Sequence, residues 1–156
     1  MMKCLCIISL RWFWLFDERW VIRSYPRQDK RGVCMANVIT IAQQKGGVGK
    51  TTLTAQLAIA ACIIHPAYKV AVIDLDPQGS LTRWYALREL DRKQRLNCLN
   101  GSAWQADSLI REGKRSADLV IVDCPPRADA KIAVALRSTH LTLLPCQPIC
   151  CRCLGA

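Results

Sequence analysis

The chain has 156 residues, 51% hydrophobic and 22% charged, a length and balance that suit one folded domain and exclude disorder over most of its length. The longest apolar run near the start, residues 4–16, is interrupted by Arg11 and falls short of the roughly 18–20 residues a membrane-spanning helix needs, so the chain reads as soluble and cytoplasmic. A net charge of +10 favours polyanionic partners, with solvated helix faces as the alternative.

Residues 1–34 hold Trp12, Trp14 and Trp20 and show no sustained helical or strand period. They read as an atypical extension outside the core, with Met35 as the natural start of the domain and a membrane-binding amphipathic arm as the alternative. From Met35 onward, short apolar and β-branched runs predict strands at 38–42, 70–75, 96–99, 119–123 and 141–144. Helical patterns fill the gaps: 50–64, which stops before Pro66; 80–90, with Ser80 as the expected N-cap after Gly79; 104–115; and 129–138. Continuously apolar strands alternating with helices predict an α/β fold, a mostly parallel sheet flanked by helices. Ten cysteines would suit a disulfide framework in a secreted chain, but only Cys62, Cys98 and Cys124 lie in the middle. Cys146, Cys150, Cys151 and Cys153 crowd the end without the second spaced pair of ligands that a zinc site needs.

The strongest local signal is Gln44-Lys45-Gly46-Gly47-Val48-Gly49-Lys50-Thr51-Thr52, between the first core strand and the first helix. Open α/β sheets bind ligands there, beyond the carboxyl end of a strand. Closely spaced glycines let the backbone turn and aim N–H groups at an anion, and the following helix adds its positive end. Lys50 is placed to reach terminal phosphates and the Thr51 hydroxyl to bind Mg²⁺. The strict phosphate-loop pattern fails, because glutamine stands at position 44, and a dinucleotide fingerprint fails at Thr52.

That departure, with the extra lysine at 45, resembles the deviant Walker A ATPases of the ParA/MinD group, whose motif is Lys-Gly-Gly-x-Gly-Lys-Thr-Thr. Val72-Ile73-Asp74-Leu75-Asp76-Pro77-Gln78-Gly79-Ser80 is similar to the second-strand motif of ParA-type partition ATPases. Leu119-Val120-Ile121-Val122-Asp123-Cys124-Pro125-Pro126 resembles their Walker B strand, and Leu143-Leu144-Pro145-Cys146-Gln147-Pro148 the next strand end. The resemblance covers about residues 35–148 and implies a P-loop NTPase fold that takes ATP and Mg²⁺. Nucleotide would be bound by Lys45, Gly46, Gly47, Val48, Gly49, Lys50, Thr51 and Thr52. Mg²⁺ would be held by Thr51 and, through water, by Asp123. Asp76 would be the hydrolysis-linked aspartate, while Asp74 has a catalytic and a structural reading of equal standing. Lys45 would be the signature lysine that reaches a partner's phosphates across a nucleotide-sandwiched homodimer; a lysine on a solvated loop is the other reading.

The same resemblance implies partition of a plasmid or chromosome, a ParB-like adaptor and nucleoid association without a membrane. It also implies binding to non-specific DNA, for which Arg83, Arg88, Arg92, Lys93, Arg95, Arg111, Lys114, Arg115, Arg127, Lys131 and Arg137 supply phosphate-contacting charge. Relatives continue past the equivalent of Pro148 with another helix and further strands, where this chain has a divergent tail at 149–156. The fold is therefore expected to be incomplete at that end, with a non-catalytic remnant or a MinD-like protein as alternatives to a partition ATPase.

Overall fold

The computed structural model describes residues 4–8, 27–28, 34–88, 95–126 and 132–146. In chain order the strands and helices are β1 (Cys4–Ile8), β2 (Arg27–Gln28), β3 (Cys34–Met35), β4 (Asn37–Ile41), α1 (Lys50–Ile64), β5 (Val70–Asp74), α2 (Ser80–Ala86), β6 (Leu96–Asn100), α3 (Ala106–Ser116), β7 (Leu119–Asp123), α4 (Ile132–Arg137) and β8 (Leu141–Cys146), with a 3-10 turn over Ala103–Gln105. Six strands form one sheet in the order β1-β8-β4-β7-β5-β6, every neighbouring pair parallel. β2 and β3 make a separate antiparallel pair.

The expected α/β architecture follows from where apolar side chains go. Along β5, Val70 and Val72 enter one core while Ala71 and Ile73 enter the other, so the strand is buried throughout. The first core packs against α1 and α2 through Ala55, Ala58 and Leu81. The second packs against α3 through Ala106 and Ile110. In α3 the buried residues Ala106, Ile110 and Gly113 recur at helical spacing, and a Cβ at Gly113 would come within 3.2 Å of Val120. Each fully buried Ile or Leu contributes about 1.5–3 kcal/mol of apolar burial, so both faces of the sheet help to hold it between its helices.

Register then aligns the carboxyl ends of four strands. Ile41 lies opposite Asp123, Asp123 opposite Asp74, and Asp74 opposite Asn100. Asp74 and Asp123 share the face covered by α1 and α2, because each stands two residues beyond a side chain of that core, Val72 and Ile121.

The reading of residues 1–34 as lying outside the core meets a difference at β1, which pairs with β8 from Cys4↔Thr142 to Ile8↔Cys146. A five-residue apolar segment is too short to announce a period, yet long enough to satisfy the backbone groups along an otherwise open edge. The expected helix 80–90 is described as Ser80–Ala86 and the expected helix 129–138 as Ile132–Arg137, with residues 89–94 and 127–131 outside the described residues. Arg92, Lys93, Arg127, Lys131, the tryptophans of the extension and the tail 149–156 with Cys150, Cys151 and Cys153 are outside them too. Among the described residues no helix is long and apolar enough to cross a membrane, and no group of three or more metal-type ligands occurs.

Candidate nucleotide site

The segment from Gln43 to Gly49 leaves the carboxyl end of β4 and turns directly into α1. The turn depends on Gly47 and Gly49, at φ +72° and +87°, a region that L side chains rarely adopt. A Cβ at Gly46, Gly47 or Gly49 would meet nothing within 4 Å, so the hollow of the loop is open. Gly49 occupies the N-cap of α1 and has no side chain to cap it; the first turn carries no acidic residue. The helix therefore presents unsatisfied N–H groups and its positive end to the hollow with no internal anion to meet them.

Lys50 is 7% exposed, and its Nζ donates a 3.3 Å hydrogen bond to the Lys45 carbonyl, so the loop curls over its own lysine. Within α1 the Thr54 hydroxyl donates to the Lys50 carbonyl at 3.0 Å, and Gln43 Nε2 donates to the Pro145 carbonyl at 3.3 Å, tying the loop's base to β8. The Lys45 side chain is exposed and, among the described residues, makes no ion pair or hydrogen bond of its own. Within one copy it stands apart from the rest of the site.

Asp123 ends β7 beneath this loop and is 1% exposed. The Thr51 hydroxyl approaches Asp123, but neither carboxylate oxygen has a partner in hydrogen-bond geometry among the described residues. Burial pushes its pKa up to about 6; the Thr51 hydroxyl and the Lys50 ammonium lower it, while the Asp74 and Asp76 carboxylates raise it. These influences put Lys50, Thr51, Asp74 and Asp76 within electrostatic reach of Asp123, and the register of β5 on β7 sets Asp74 directly opposite it. The next residue, Cys124, has its thiol pushed up to about 12 by burial and by the Asp123 charge, which makes it a core residue rather than a nucleophile.

Asp74 is also fully buried, but its oxygens are occupied. Oδ1 accepts the Asp76 amide at 3.1 Å; Oδ2 accepts both the Thr82 amide and the Thr82 hydroxyl at 2.9 Å. Ser80 does not cap α2 as expected. Gly79 is the N-cap, and the third-residue donor of the helix goes to Asp74 on the neighbouring strand instead. Asp76 is partly exposed; its Oδ1 accepts the Gln78 amide at 2.9 Å, and among the described residues its second oxygen makes no hydrogen bond. Thr82 and Asn100, which complete this network, escaped the sequence reading. A glycine at the helix start followed by a threonine two positions into the helix was the available signal, since such a helix needs an acceptor from elsewhere.

Away from this site, a pocket of about 250 Å³ lined by Lys69, Tyr85, Arg95, Asn97 and Ser116 lies where the strands begin. It is at the wrong end of the sheet for the ligand crevice of an open α/β fold.

Residues 39–141 match the family model described as the CobQ/CobB/MinD/ParA nucleotide binding domain. Over 130 residues the chain is 34% identical to the maintenance of carboxysome distribution protein A of Gloeobacter kilaueensis, a match that takes in 80% of this chain and 51% of that protein. It is 36% identical over 89 residues to the chromosome partitioning protein ParA of Caulobacter vibrioides, taking in 55% of this chain and 32% of that protein. Among solved structures, the septum site-determining protein MinD of Pyrococcus horikoshii complexed with Mg-ADP has the same fold, with a TM-score of 0.60 at 21% identity over 74% of this chain and 59% of that one. The chain spans about half the length, or less, of these curated relatives. Loop, strand ends and family model agree, and the chain belongs to the CobQ/CobB/MinD/ParA group of P-loop ATPases.

Proposed function

We propose that this chain carries the Mg·ATP-binding core of a ParA-type partition ATPase, which hydrolyses ATP as a nucleotide-sandwich homodimer. The observation that supports this most is a juxtaposition: an open glycine loop at the uncapped start of α1, beside a buried carboxylate that, among the described residues, only the Thr51 hydroxyl approaches.

The donor set fits Mg²⁺. Thr51 offers a hydroxyl and Asp123 an orphaned carboxylate, both hard oxygen ligands, and Asp123 would act through a water. When bound, Mg²⁺ supplies neutralisation of charge on the β- and γ-phosphates. The chain's own groups do the remainder. Amides of Gly46 to Thr52 cradle the phosphates, and Lys50, released from the Lys45 carbonyl, turns its ammonium to their terminal oxygens. Asp76, held by the Gln78 amide through one oxygen, keeps the other to orient the attacking water. Lys45 reaches the partner's nucleotide in trans, a role in which a cation raises turnover by about 10³–10⁵-fold in comparable sites.

Partition of a plasmid or chromosome, a ParB-like adaptor, and non-specific DNA met by the exposed arginines of α2 and α3 complete the reading, with the protein cytoplasmic and nucleoid-associated. Similarity to the Gloeobacter protein favours a second cargo, a carboxysome-like assembly positioned by the same cycle. Phosphate release measured with and without DNA tests the core of it. Wild type is expected to turn over ATP only with Mg²⁺, faster with DNA, and Lys50→Ala not at all. Absence of Mg²⁺-dependent turnover in wild type under either condition would contradict an ATPase.

A further inference from the structure

We infer that Thr82 is a positioning residue for hydrolysis: through Asp74 it holds the segment bearing Asp76, and Asn100 holds Thr82. The inference rests on the ATPase reading above for its consequence and on hydrogen bonds alone for its mechanism. The Thr82 hydroxyl donates its one proton to Asp74 Oδ2 at 2.9 Å and accepts from Asn100 Nδ2 at 2.8 Å. With the Thr82 amide also on Oδ2, the carboxylate plane has one orientation, and that orientation turns Oδ1 to the Asp76 amide. Asp76 in turn fixes the Gln78 amide through its side chain and the Gly79 amide through its carbonyl at 2.9 Å, closing the turn that starts α2. The Asp74 carbonyl accepts the Gly101 amide at 3.1 Å, so the end of β6 is joined to the same point.

This network has two features that a cap alone would lack. Thr82, Asn100 and Asp74 come from α2, β6 and β5, so three elements converge on one aspartate two residues from the water-orienting one. None of its members belongs to the phosphate loop, so nucleotide affinity and turnover are separable. A small displacement of a water-orienting group lowers rate steeply, by about 10²-fold for 1 Å.

The test compares Thr82→Val, which keeps shape but loses the hydroxyl, with Thr82→Ser, which restores it. Two readouts are taken on the full chain: steady-state ATP turnover, and amide hydrogen exchange by mass spectrometry in nucleotide-free protein. Thr82→Val is expected to lower kcat about 10–100-fold with KM and ATP affinity unchanged, and to speed exchange across residues 75–79 while leaving α1 unaltered. Thr82→Ser should return both to near wild type, and Asn100→Ala should shift both in the same direction by less. Unchanged kcat and exchange in Thr82→Val, or a matched loss of affinity and kcat, would overturn the inference. If wild type shows no turnover, the ATPase reading fails separately. The exchange comparison then decides alone: faster exchange at 75–79 in Thr82→Val with rescue by serine supports the clamp, and unchanged exchange overturns it.

Discussion

Two aspartates end adjacent parallel strands directly opposite one another, and they are treated in opposite ways. Asp74 is saturated, with three donors on two oxygens, whereas Asp123, equally buried, has none among the described residues. A buried carboxylate without partners is costly. Asp74 fixes the protein's own backbone, and under the proposed function Asp123 is the carboxylate that a ligand would meet. The same division separates the two helix starts: α1 opens on uncapped amides, while α2 spends a donor on Asp74.

One substitution, aspartate to asparagine, should act in opposite directions at the two sites. Asp74→Asn places an amide NH₂ against donors, and with hydrogen bonds to a charged group worth about 1.5–3 kcal/mol each, it should destabilise the nucleotide-free protein by about 3 kcal/mol. Asp123→Asn should stabilise it by up to about 3 kcal/mol at neutral pH, because the charge it removes is disfavoured in the fold. Denaturant unfolding of both variants at pH 7 checks the signs. Destabilisation by Asp123→Asn would mean that its carboxylate is already satisfied.

The pH dependence sharpens the same point. Asp123 has its folded pKa raised from 3.8 to about 6, so the folded state holds the proton more tightly than the unfolded chain does. Its contribution to stability is therefore greatest below pH 4, declines as pH rises through 4–6, and is level above. Unfolding free energy measured across that window should fall in wild type by about 2–3 kcal/mol more than in Asp123→Asn; parallel profiles would remove the shift.

Much of this site was legible in sequence because its parts are contiguous. Gly46 to Thr52 lie in one run, α1 was delimited by Pro66, and β7 stood out as four apolar residues closed by Asp123. The Asp74 network was not legible, since its members are 8 and 26 residues apart and meet only through the register of β5 on β6. Ser80 looked like a cap because caps are usually local; a strand-end carboxylate did that work from across the sheet edge. β1 was missed for a related reason, its partner β8 lying at the far end of the described chain.

Smaller effects should come from groups outside the hollow. Lys45→Ala should leave nucleotide affinity of the monomer within about twofold, as expected for a solvated cation without partners, yet reduce ATP-dependent dimerisation measured by sedimentation; unchanged dimerisation would return Lys45 to an ordinary loop lysine. Residues 1–34 are proposed to be dispensable for nucleotide binding. A chain starting at Met35 should bind ATP as the full chain does, because β1 is separated from β4 by β8. Its loss should instead lower solubility by uncovering the β8 edge. Weaker ATP affinity in that shorter chain would place the extension in the site.

Under the proposed function the open loop and the buried Asp123 carboxylate take one ligand, a triphosphate with its metal. Calorimetric titration of ATP into wild type and Lys50→Ala, each with and without Mg²⁺, tests it most directly. One ATP is expected per chain, bound more tightly with Mg²⁺, with a loss of at least about 10–100-fold in Lys50→Ala. Equal affinity in the two proteins, or binding to wild type that ignores Mg²⁺, would contradict it.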